Sequence, residues 1–415
     1  MTNATAALIA AVPWGELRHA SGDASDIPPL LRAMAAAKGR RLYETMDELC
    51  SRVLHQGAIY SASPPVARVV IGMLADVDPR EKPSFYGLLT GFADSARRAI
   101  EGQSGGDPAG GAAIRDAILG ASACFVPDLT HSGPELRAQA AGLLTAFADA
   151  DPAMARLVRQ RYAAEADPRV RHAMLAGIER VRACFEDWPA FLAAALEGET
   201  ALANRYLLHR AQVCHLQAAA DSAMVDSLVA AFVQVHATES QVFAGDEPFF
   251  LAIHSLGAER ERAALLGALK SAGKHGLLAC VLAERLLRSV FADRRTGWEE
   301  PSAGYQGDAG SRSNLNQAAL RLMGRLLAAK LFPSLMSRKL RQNALAQPER
   351  AEFIRYLGVT GDAPPIPSKL TAEQSAILTA LAREAAVWRF HTNLWDLFGL
   401  PNTAAGLAQF TAARS

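Results

Sequence analysis

The amino-acid sequence predicts an all-α protein, a right-handed stack of antiparallel helix pairs (an α-solenoid) with a helical cap region at its C-terminal end. Three observations lead to this prediction. Alanine and leucine are abundant and aromatic residues make up only 7% of the 415 residues, which favours helices with small, closely packed interfaces. Amphipathic segments separated by short turns follow one another along most of the chain. In the middle of the chain the pattern repeats at a fixed interval.

The net charge and the cysteine content limit the classes of function and the compartment that we expect for this protein. The chain has 43 basic and 42 acidic side chains, a formal net charge of +1, and so no overall attraction to nucleic acid or to an anionic membrane. No apolar run approaches the roughly 20 residues of a membrane-spanning helix, and no basic segment precedes the first apolar patch, as it would in a secretory signal. The five cysteines are far apart and form no CxxC pair, which is typical of reduced thiols. We therefore expect a cytoplasmic protein that contacts no membrane.

The first helix pair is predicted over residues 40–73. Tyr43 widens the apolar stripe of its first helix, and Gly57 suits the left-handed conformation that ends a helix. Ser63 and Pro64 are expected to begin the second helix as N-cap and first-turn proline. The apolar residues of the first stripe recur at steps of three and four: Leu42, Met46, Leu49 and Val53.

Two residues beside Gly57 invite a functional interpretation. His55 has the chemistry of a general base, but no nucleophile or second acid is fixed nearby, and a cation suits the negative end of a helix, so a structural role is favoured. Tyr60 lies on a link that is expected to be exposed between the two helices. We predict Tyr60 as a contact point for a partner protein.

The same pattern continues towards residue 292. One later helix is expected to bury a single face, and residues 102–111, GQSGGDPAGG, are predicted to form the first flexible loop. The residues of that buried face are Phe85, Leu88, Leu89 and Phe92.

The repeat is most visible in two heptapeptides. PELRAQA at 134–140 aligns with PRVRHAM at 168–174, an offset of 34 residues (168 − 134) that superimposes Arg137 on Arg171. A second step of the same length reaches Arg205. A fixed period of helix pairs indicates repeats that must stack, because one pair cannot bury its apolar face alone.

The segment DPRVRHAMLAGI at 167–178 resembles the D-P-x-V-R-x-x-A element of HEAT-like repeats. Asp167, Pro168, Val170 and Arg171 match that element. The resemblance implies that the Asp-Pro opens a helix, that the valine packs inward and that the arginine ties neighbouring repeats together. The copy that begins at Pro134 has glycine in place of the aspartate, and the third copy keeps little more than its arginine. The resemblance covers residues 14–292, which are predicted to form the repeat array.

The C-terminal part differs in composition. Residues 293–313 are rich in glycine, serine and charge and are predicted to be a flexible linker. Residues 314–415 are predicted to be helical again, with Thr371 and Gln374 placed as a capping box. This ending is similar to the tail of bacterial HEAT-repeat proteins and is expected to cap the array, because a terminal repeat needs a polar outer face.

No motif points to a catalytic, cofactor or metal site. The glycine-rich segments lack both GxGxxG and a G-K-[ST] ending. His209 and Cys214 are five positions apart, which suits neither one face of a helix nor a zinc site. His275 and Cys280 have the same spacing, so both cysteines are interpreted as buried small side chains.

The arginine series allows two functions. Arg137, Arg171 and Arg205 could meet the phosphates of DNA, or they could bond carboxylates and carbonyls between repeats. The near-zero net charge favours the second role, and with it a non-enzymatic scaffold that binds a protein, as an adaptor or an immunity-type inhibitor. The alternative is a HEAT-like DNA-repair glycosylase with a catalytic carboxylate and exposed aromatic residues, for which Asp187 and Trp188 are the nearest pair. The residues EDWP are better explained as a helix start, with Asp187 as the cap.

Overall fold

The computed structural model describes residues 3–102, 107–238, 246–273, 275–291, 368–389, 395 and 398–415. These residues confirm the all-α prediction. The strands that they contain are β1 (Arg18–His19) and β2 (Gly22–Asp23), two residues each, which pair in antiparallel fashion as a short hairpin. By their internal contacts the described residues divide into two compact units, one up to Phe191 and one from Leu192 onward.

The helices up to residue 198 follow each other after short turns. They are α1 (Asn3–Ala10), α2 (Ile27–Ala36), α3 (Gly39–Val53), α4 (Ser63–Met73), α5 (Lys82–Ile100), α6 (Pro108–Gly120), α7 (Ser122–Phe125), α8 (Pro134–Ala146), α9 (Pro152–Tyr162), α10 (Pro168–Arg180) and α11 (Trp188–Gly198). Short 3-10 turns lie at Trp14–Glu16, His55–Gly57, Val126–Thr130 and Arg182–Cys184.

Apolar spacing correctly predicted which faces of α3 and α5 are buried. The four residues of the α3 stripe and the four of the α5 face are all buried. The prediction that Tyr43 widens this stripe is wrong, since 64% of the surface of Tyr43 is exposed. The apolar stripe of α3 is therefore narrower than its sequence suggested.

The junction between α3 and α4 differs from the prediction in how it is held. The helix α3 ends at Val53, and the left-handed conformation is shared by Gln56 (φ 52°) and Gly57 (φ 76°). Ser63 does not cap α4 with its side chain. Its buried Oγ donates to the carbonyl of Val53 (2.6 Å) and accepts from the N–H of Tyr60 (2.9 Å), which ties the new helix to the end of the old one. Tyr60 is thereby half-buried rather than fully exposed.

The segment 102–111 is also more ordered than predicted where the structure describes it. Asp107 caps α6 by accepting from the N–H of Ala109 (2.9 Å), and Pro108 begins the helix. Gly111 is buried, and a Cβ at this position would stand 2.9 Å from the carbonyl oxygen of Ala96. The glycine is therefore needed for the close packing of α6 on α5, and the expectation of a loop is wrong for residues 108–111.

The helices of the second unit enclose an aromatic core. They are α12 (Leu202–Leu216), α13 (Ser222–Thr238), α14 (Asp246–His254), α15 (Ala258–Ser271), α16 (Gly276–Val290), α17 (Ala372–Arg383), α18 (Ala385–Arg389) and α19 (Ala404–Ala412), with a 3-10 turn at Gln217–Ala219. The rings of Phe232 and Phe249 stack with centroids 3.7 Å apart. The predicted capping box of Thr371 and Gln374 is present at the start of α17. The proposed linker 293–313 and the helix expected from residue 314 lie outside the described residues.

Candidate functional site

The repeat positions have the same backbone in three places. The helices α8, α10 and α12 begin at residues 134, 168 and 202, which continues the interval found in the sequence. The residue before each helix has nearly the same dihedral angles: φ −78° and ψ 121° at Gly133, −76° and 120° at Asp167, and −72° and 125° at Ala201. The local fold is thus retained although the three side chains differ.

A second feature recurs at the same interval and was missed in the sequence. His131, Glu165 and Glu199 each accept a hydrogen bond from the backbone N–H two residues later, at 3.0, 2.9 and 2.8 Å. Each bond closes a tight turn just before a helix. A comparison by residue type does not find this position, because an imidazole and two carboxylates fill one structural role.

The guanidinium of Arg137 bonds two backbone carbonyls before its own helix and the carboxylate of Glu165 before α10. Its Nη1 donates to the carbonyls of His131 (2.8 Å) and Ser132 (3.1 Å), and its Nε and Nη2 each donate to a carboxylate oxygen of Glu165 at 2.8 Å. The Arg137 side chain is 12% exposed and that of Glu165 is 2% exposed. Arg137 therefore links the start of α8 to the turn before α10, which agrees with the role that the resemblance implied.

Electrostatics keep this buried carboxylate charged. Burial alone would raise the pKa of Glu165, but the hydrogen bonds from Arg137 and from the Asp167 N–H, together with the charges of Arg137 and Arg161, outweigh burial and lower the pKa below its usual value. Glu165 is therefore an ionised partner for Arg137 at neutral pH.

The other two predicted arginines, Arg171 and Arg205, differ from each other in their hydrogen bonds. Nη1 of Arg171 donates to the carbonyls of Glu165 and Ala166, each at 3.1 Å, which reproduces the backbone bonds of Arg137 at equivalent positions. Arg205 is exposed, and within the described part of the chain its guanidinium makes no hydrogen bond or ion pair. The bonds to backbone carbonyls are therefore observed for Arg137 and Arg171 but not for Arg205.

The remaining repeat residues occupy their predicted places. Asp167 Oδ1 accepts from the N–H of Arg169 (2.8 Å), so it caps α10, and Pro168 is the first residue of that helix. Val170 is buried. The same Asp-Pro start opens α9, where Asp151 accepts from the N–H of Ala153 at 3.2 Å.

Beside this repeat region, the first unit has a cleft of about 670 Å³. Helix α9 contributes one wall and the segment that leads into α11 contributes the other. We call it the α9 cleft. Its lining includes Arg156, Arg159, Gln160, Phe185, Asp187 and Phe191.

Arg159 lines the α9 cleft and is held there by three neighbouring side chains. Its guanidinium carbon lies 4.9 Å from the ring centroid of Phe185 and 4.6 Å from that of Phe191. Its Nη1 and Nη2 donate to the two carboxylate oxygens of Asp187, at 2.6 and 2.5 Å. This hydrogen bonding with Arg159 lowers the pKa of Asp187. The cleft therefore presents a cation whose orientation is set by two aromatic rings and one carboxylate.

Trp188 does not face the α9 cleft in the way that a glycosylase would require. It is 3% exposed and stacks on Phe185 and Phe191, with centroids 6.3 and 5.4 Å apart. Asp187 precedes α11 as predicted, but both of its carboxylate oxygens bond Arg159. The sequence pair that suggested base-excision chemistry is therefore part of a packed aromatic and ionic cluster.

The remaining candidates for chemistry do not assemble into a site. Across the described ranges, no group of three or more His, Cys, Asp or Glu residues is placed to hold a metal ion. Burial, followed by the charge of Arg205, lowers the pKa of His209. Cys214 is half-buried, whereas Cys280 is fully buried and its Sγ donates to the carbonyl of Val387 at 3.7 Å, which confirms the interpretation of Cys280 as a buried thiol.

Within the described residues, no helix by itself has the length and apolar character to cross a bilayer. One pair, Pro108–Gly120 with Ser122–Thr130, meets the criterion when taken together, although its two parts are bent by 51°.

Comparisons with protein-family models, with curated proteins and with solved structures found no match to this chain.

Proposed function

We propose that this protein is a non-enzymatic scaffold of HEAT-like repeats that binds a partner protein, as an adaptor or an inhibitor of the immunity type. The observation that carries the proposal is the α9 cleft, with its arginines and aromatic rings. Such residues dominate the binding energy of protein interfaces, where arginine and large aromatic side chains serve as anchors.

The repeat architecture supports the same proposal. Three helices begin at one interval with one backbone conformation, and the turn before each is closed by the same kind of bond. Repeats of this kind are expected to stack antiparallel helix pairs into a solenoid, whose surface displays side chains at a regular spacing. Such surfaces suit the binding of an extended partner.

Arg159 in the α9 cleft is already ordered for binding. Ordering a long side chain at an interface costs about 0.5–1.5 kcal/mol. Arg159 has already lost that freedom, because Phe185, Phe191 and Asp187 hold it. Arg156 is exposed on the same helix and lines the same cleft. We therefore place the main contact of the partner at Arg156 and Arg159.

The DNA-repair alternative is less well supported. Asp187 is neutralised by Arg159, Trp188 is buried, and Arg137 and Arg171 bond the backbone rather than facing solvent as a row of cations. A duplex-binding enzyme would need exposed cations along its binding surface.

The test is a comparison of three tagged proteins as baits in an extract of the native cells, followed by mass spectrometry. The baits are the wild type, Arg156→Glu in the α9 cleft, and Arg40→Glu on the exposed face of α3 as a control with the same charge change. We expect one protein to be retained by the wild type and by Arg40→Glu and lost with Arg156→Glu. Retention of identical proteins by all three baits would contradict the assignment to the cleft.

A mobility-shift titration with duplex DNA at low salt separates the two functions. The scaffold predicts no salt-sensitive complex. A tight complex that weakens steeply with salt and is lost in Arg156→Glu would favour the DNA-repair alternative.

A further inference from the structure

The hydrogen bonds of His19, the last residue of β1, fix its protonation state. Its side chain is 3% exposed. Nδ1 accepts a hydrogen bond from the N–H of Ser21 (3.0 Å), and a ring nitrogen that accepts from an N–H carries a lone pair and no proton. The proton of the ring is therefore on Nε2, which donates to Oδ1 of Asp26 (2.9 Å). His19 is thus neutral in this arrangement.

The imidazole joins the hairpin to two helices of the first unit. Ser21 lies in the two-residue turn between β1 and β2, so the bond at Nδ1 closes that turn. Asp26 directly precedes α2, and its other carboxylate oxygen pairs with Nη1 of Arg52 in the last turn of α3. The N–H of Ala20 also donates to the carbonyl of Arg52 (2.9 Å). The hairpin is therefore attached to the start of α2 and to the end of α3.

The charged groups around His19 come from three elements, and together with burial they oppose its protonation. On α3, Arg52 is a nearby cation, and its Nη2 also bonds Glu48 (2.6 Å). Asp23 on β2 favours a proton on His19, as does Asp26, but the side chain of Asp26 is 43% exposed and already pairs with Arg52. Burial, followed by the charge of Arg52, lowers the pKa of His19 below its ordinary value of 6.5.

A second proton on the His19 ring would disrupt the hairpin turn. Because Nε2 already carries a proton, the second one goes to the lone pair of Nδ1, which points at the N–H of Ser21. Two donors cannot share a hydrogen bond, so the ring and the Ser21 N–H must separate. The imidazolium is also a charge in a buried place, which adds a desolvation cost to the closed hairpin.

We propose that the β1–β2 hairpin is a pH-sensitive element, in which proton uptake at Nδ1 of His19 releases the hairpin from the start of α2 and the end of α3. The ordinary pKa of histidine places this event at mildly acidic pH. The release also reaches the link between α3 and α4. The N–H of Arg18 donates to Oγ of Ser61 (2.8 Å), and the N–H of Ala62 donates to the carbonyl of Arg18 (3.1 Å). That link contains Tyr60, the residue predicted to contact a partner protein.

The experiment measures amide hydrogen exchange of residues 17–24 in the full chain at about pH 7.5 and about pH 5.5. Exchange is expressed as a protection factor relative to an unstructured peptide at the same pH, which reports the opening equilibrium of the hairpin. The wild type is compared with His19→Asn, because the side-chain carbonyl of asparagine can accept from the N–H two residues later but takes up no proton. The control is His172→Gln, at an exposed histidine of the same unit.

The sign of the effect follows from proton linkage. The closed hairpin excludes a proton that the open form binds, so opening becomes more favourable as the pH falls below about 6.5, by at most about tenfold for each pH unit. The protection factor of the wild type and of His172→Gln should therefore fall several-fold between the two pH values. The protection factor of His19→Asn should stay constant. Equal protection of the wild type at both pH values, or an equal fall in His19→Asn, would overturn the proposal.

NMR of the wild type labelled with ¹⁵N-histidine provides a readout that needs no variant. The His19 ring, assigned by its proximity to the Ser21 N–H, should carry a proton on Nε2 and none on Nδ1 at about pH 7.5. Its titration midpoint should lie below the ordinary 6.5. A proton on Nδ1 at neutral pH, or a midpoint at or above 6.5, would contradict the proposal.

Discussion

The starts of α10 and α12 have the same backbone conformation, but only the start of α10 has an ion pair between an arginine and the glutamate of the preceding turn. This difference shows which features recur at the 34-residue interval. At α10 the carboxylate of Glu165 closes the preceding turn and also receives Arg137 from the previous repeat position. At α12 Glu199 closes the equivalent turn and receives Nδ2 of Asn204 at 3.0 Å, while Arg205 is exposed. The 34-residue interval thus fixes turns and helix starts, and the residues around each turn decide whether the repeat arginine stabilises the fold.

The largest expected effect is the difference in the free energy of unfolding between an alanine variant of Arg137 and one of Arg205. Arg137→Ala leaves the buried carboxylate of Glu165 without its main partner, and breaking a buried pair in this way costs about 3–5 kcal/mol. Arg205→Ala removes an exposed side chain and should change the free energy of unfolding by less than about 0.5 kcal/mol. Urea unfolding of both variants measures the two values. Equal losses would show that the exposed position contributes as much as the buried one.

The contact between α8 and α10 provides the next test. A Cβ added to Gly177 would stand 2.9 Å from Cβ of Thr145 and closer still to its Oγ1, so Gly177→Ala should destabilise by about 1–3 kcal/mol. Gly142, on α8, has open space around it. Gly142→Ala should therefore stabilise by up to about 1 kcal/mol through helix propensity. Similar Tm shifts in both variants would mean that the two helices do not pack closely at Gly177.

The buried pair also predicts a dependence on pH. The pKa of Glu165 is lowered in the folded protein, so the stability that it provides is present above the unfolded value of 4.5 and is lost as the pH falls through the lower folded value. The free energy of unfolding of the wild type should fall on acidification from pH 5. In Glu165→Gln part of this slope should be missing. Identical slopes between pH 5 and pH 3 would show that Glu165 has an ordinary pKa.

The smallest expected effect concerns the helix caps. Asp167→Ala removes the side-chain bond to the N–H of Arg169 and should cost about 1 kcal/mol. Ala201 has the same backbone conformation without a capping side chain, so Ala201→Asp should stabilise by up to about 1 kcal/mol. Thermal unfolding of both variants tests whether the cap positions before α10 and α12 are equivalent. A loss of stability in Ala201→Asp would show that they are not.

Much of this architecture could be predicted from the sequence because it depends on local spacing. The buried faces of α3 and α5 follow from periodicity, and the Asp-Pro helix start at Asp167 follows from capping chemistry. The role of Arg137 is instead implied by the resemblance to HEAT-like repeats. Other features depend on contacts distant in the chain. The sequence predicts that the Ser63 side chain caps α4, whereas its hydroxyl bonds the carbonyl of Val53, ten residues earlier. The sequence predicts a loop at Gly111, whereas the backbone that approaches this glycine belongs to α5.

The candidate site was less predictable than the fold. Arg159 carries no distinguishing motif, and its partner Asp187 is 28 residues away (187 − 159). Asp187 and Trp188 are the nearest sequence pair for the DNA-repair alternative and are interpreted as a helix start, but adjacent residues on a chain point in different directions. Asp187 bonds an arginine that lines the α9 cleft, and Trp188 is buried in an aromatic stack.

The central claim is that the α9 cleft binds a protein. The most direct test is the affinity of the captured partner for the purified wild type, Arg156→Glu and Arg40→Glu, measured by titration calorimetry. Reversal of charge at an interface anchor should weaken binding by tenfold or more, since a loss of about 1.4 kcal/mol corresponds to a factor of ten in Kd. We predict that loss for Arg156→Glu and an unchanged Kd for Arg40→Glu. An unchanged Kd for Arg156→Glu would contradict the claim.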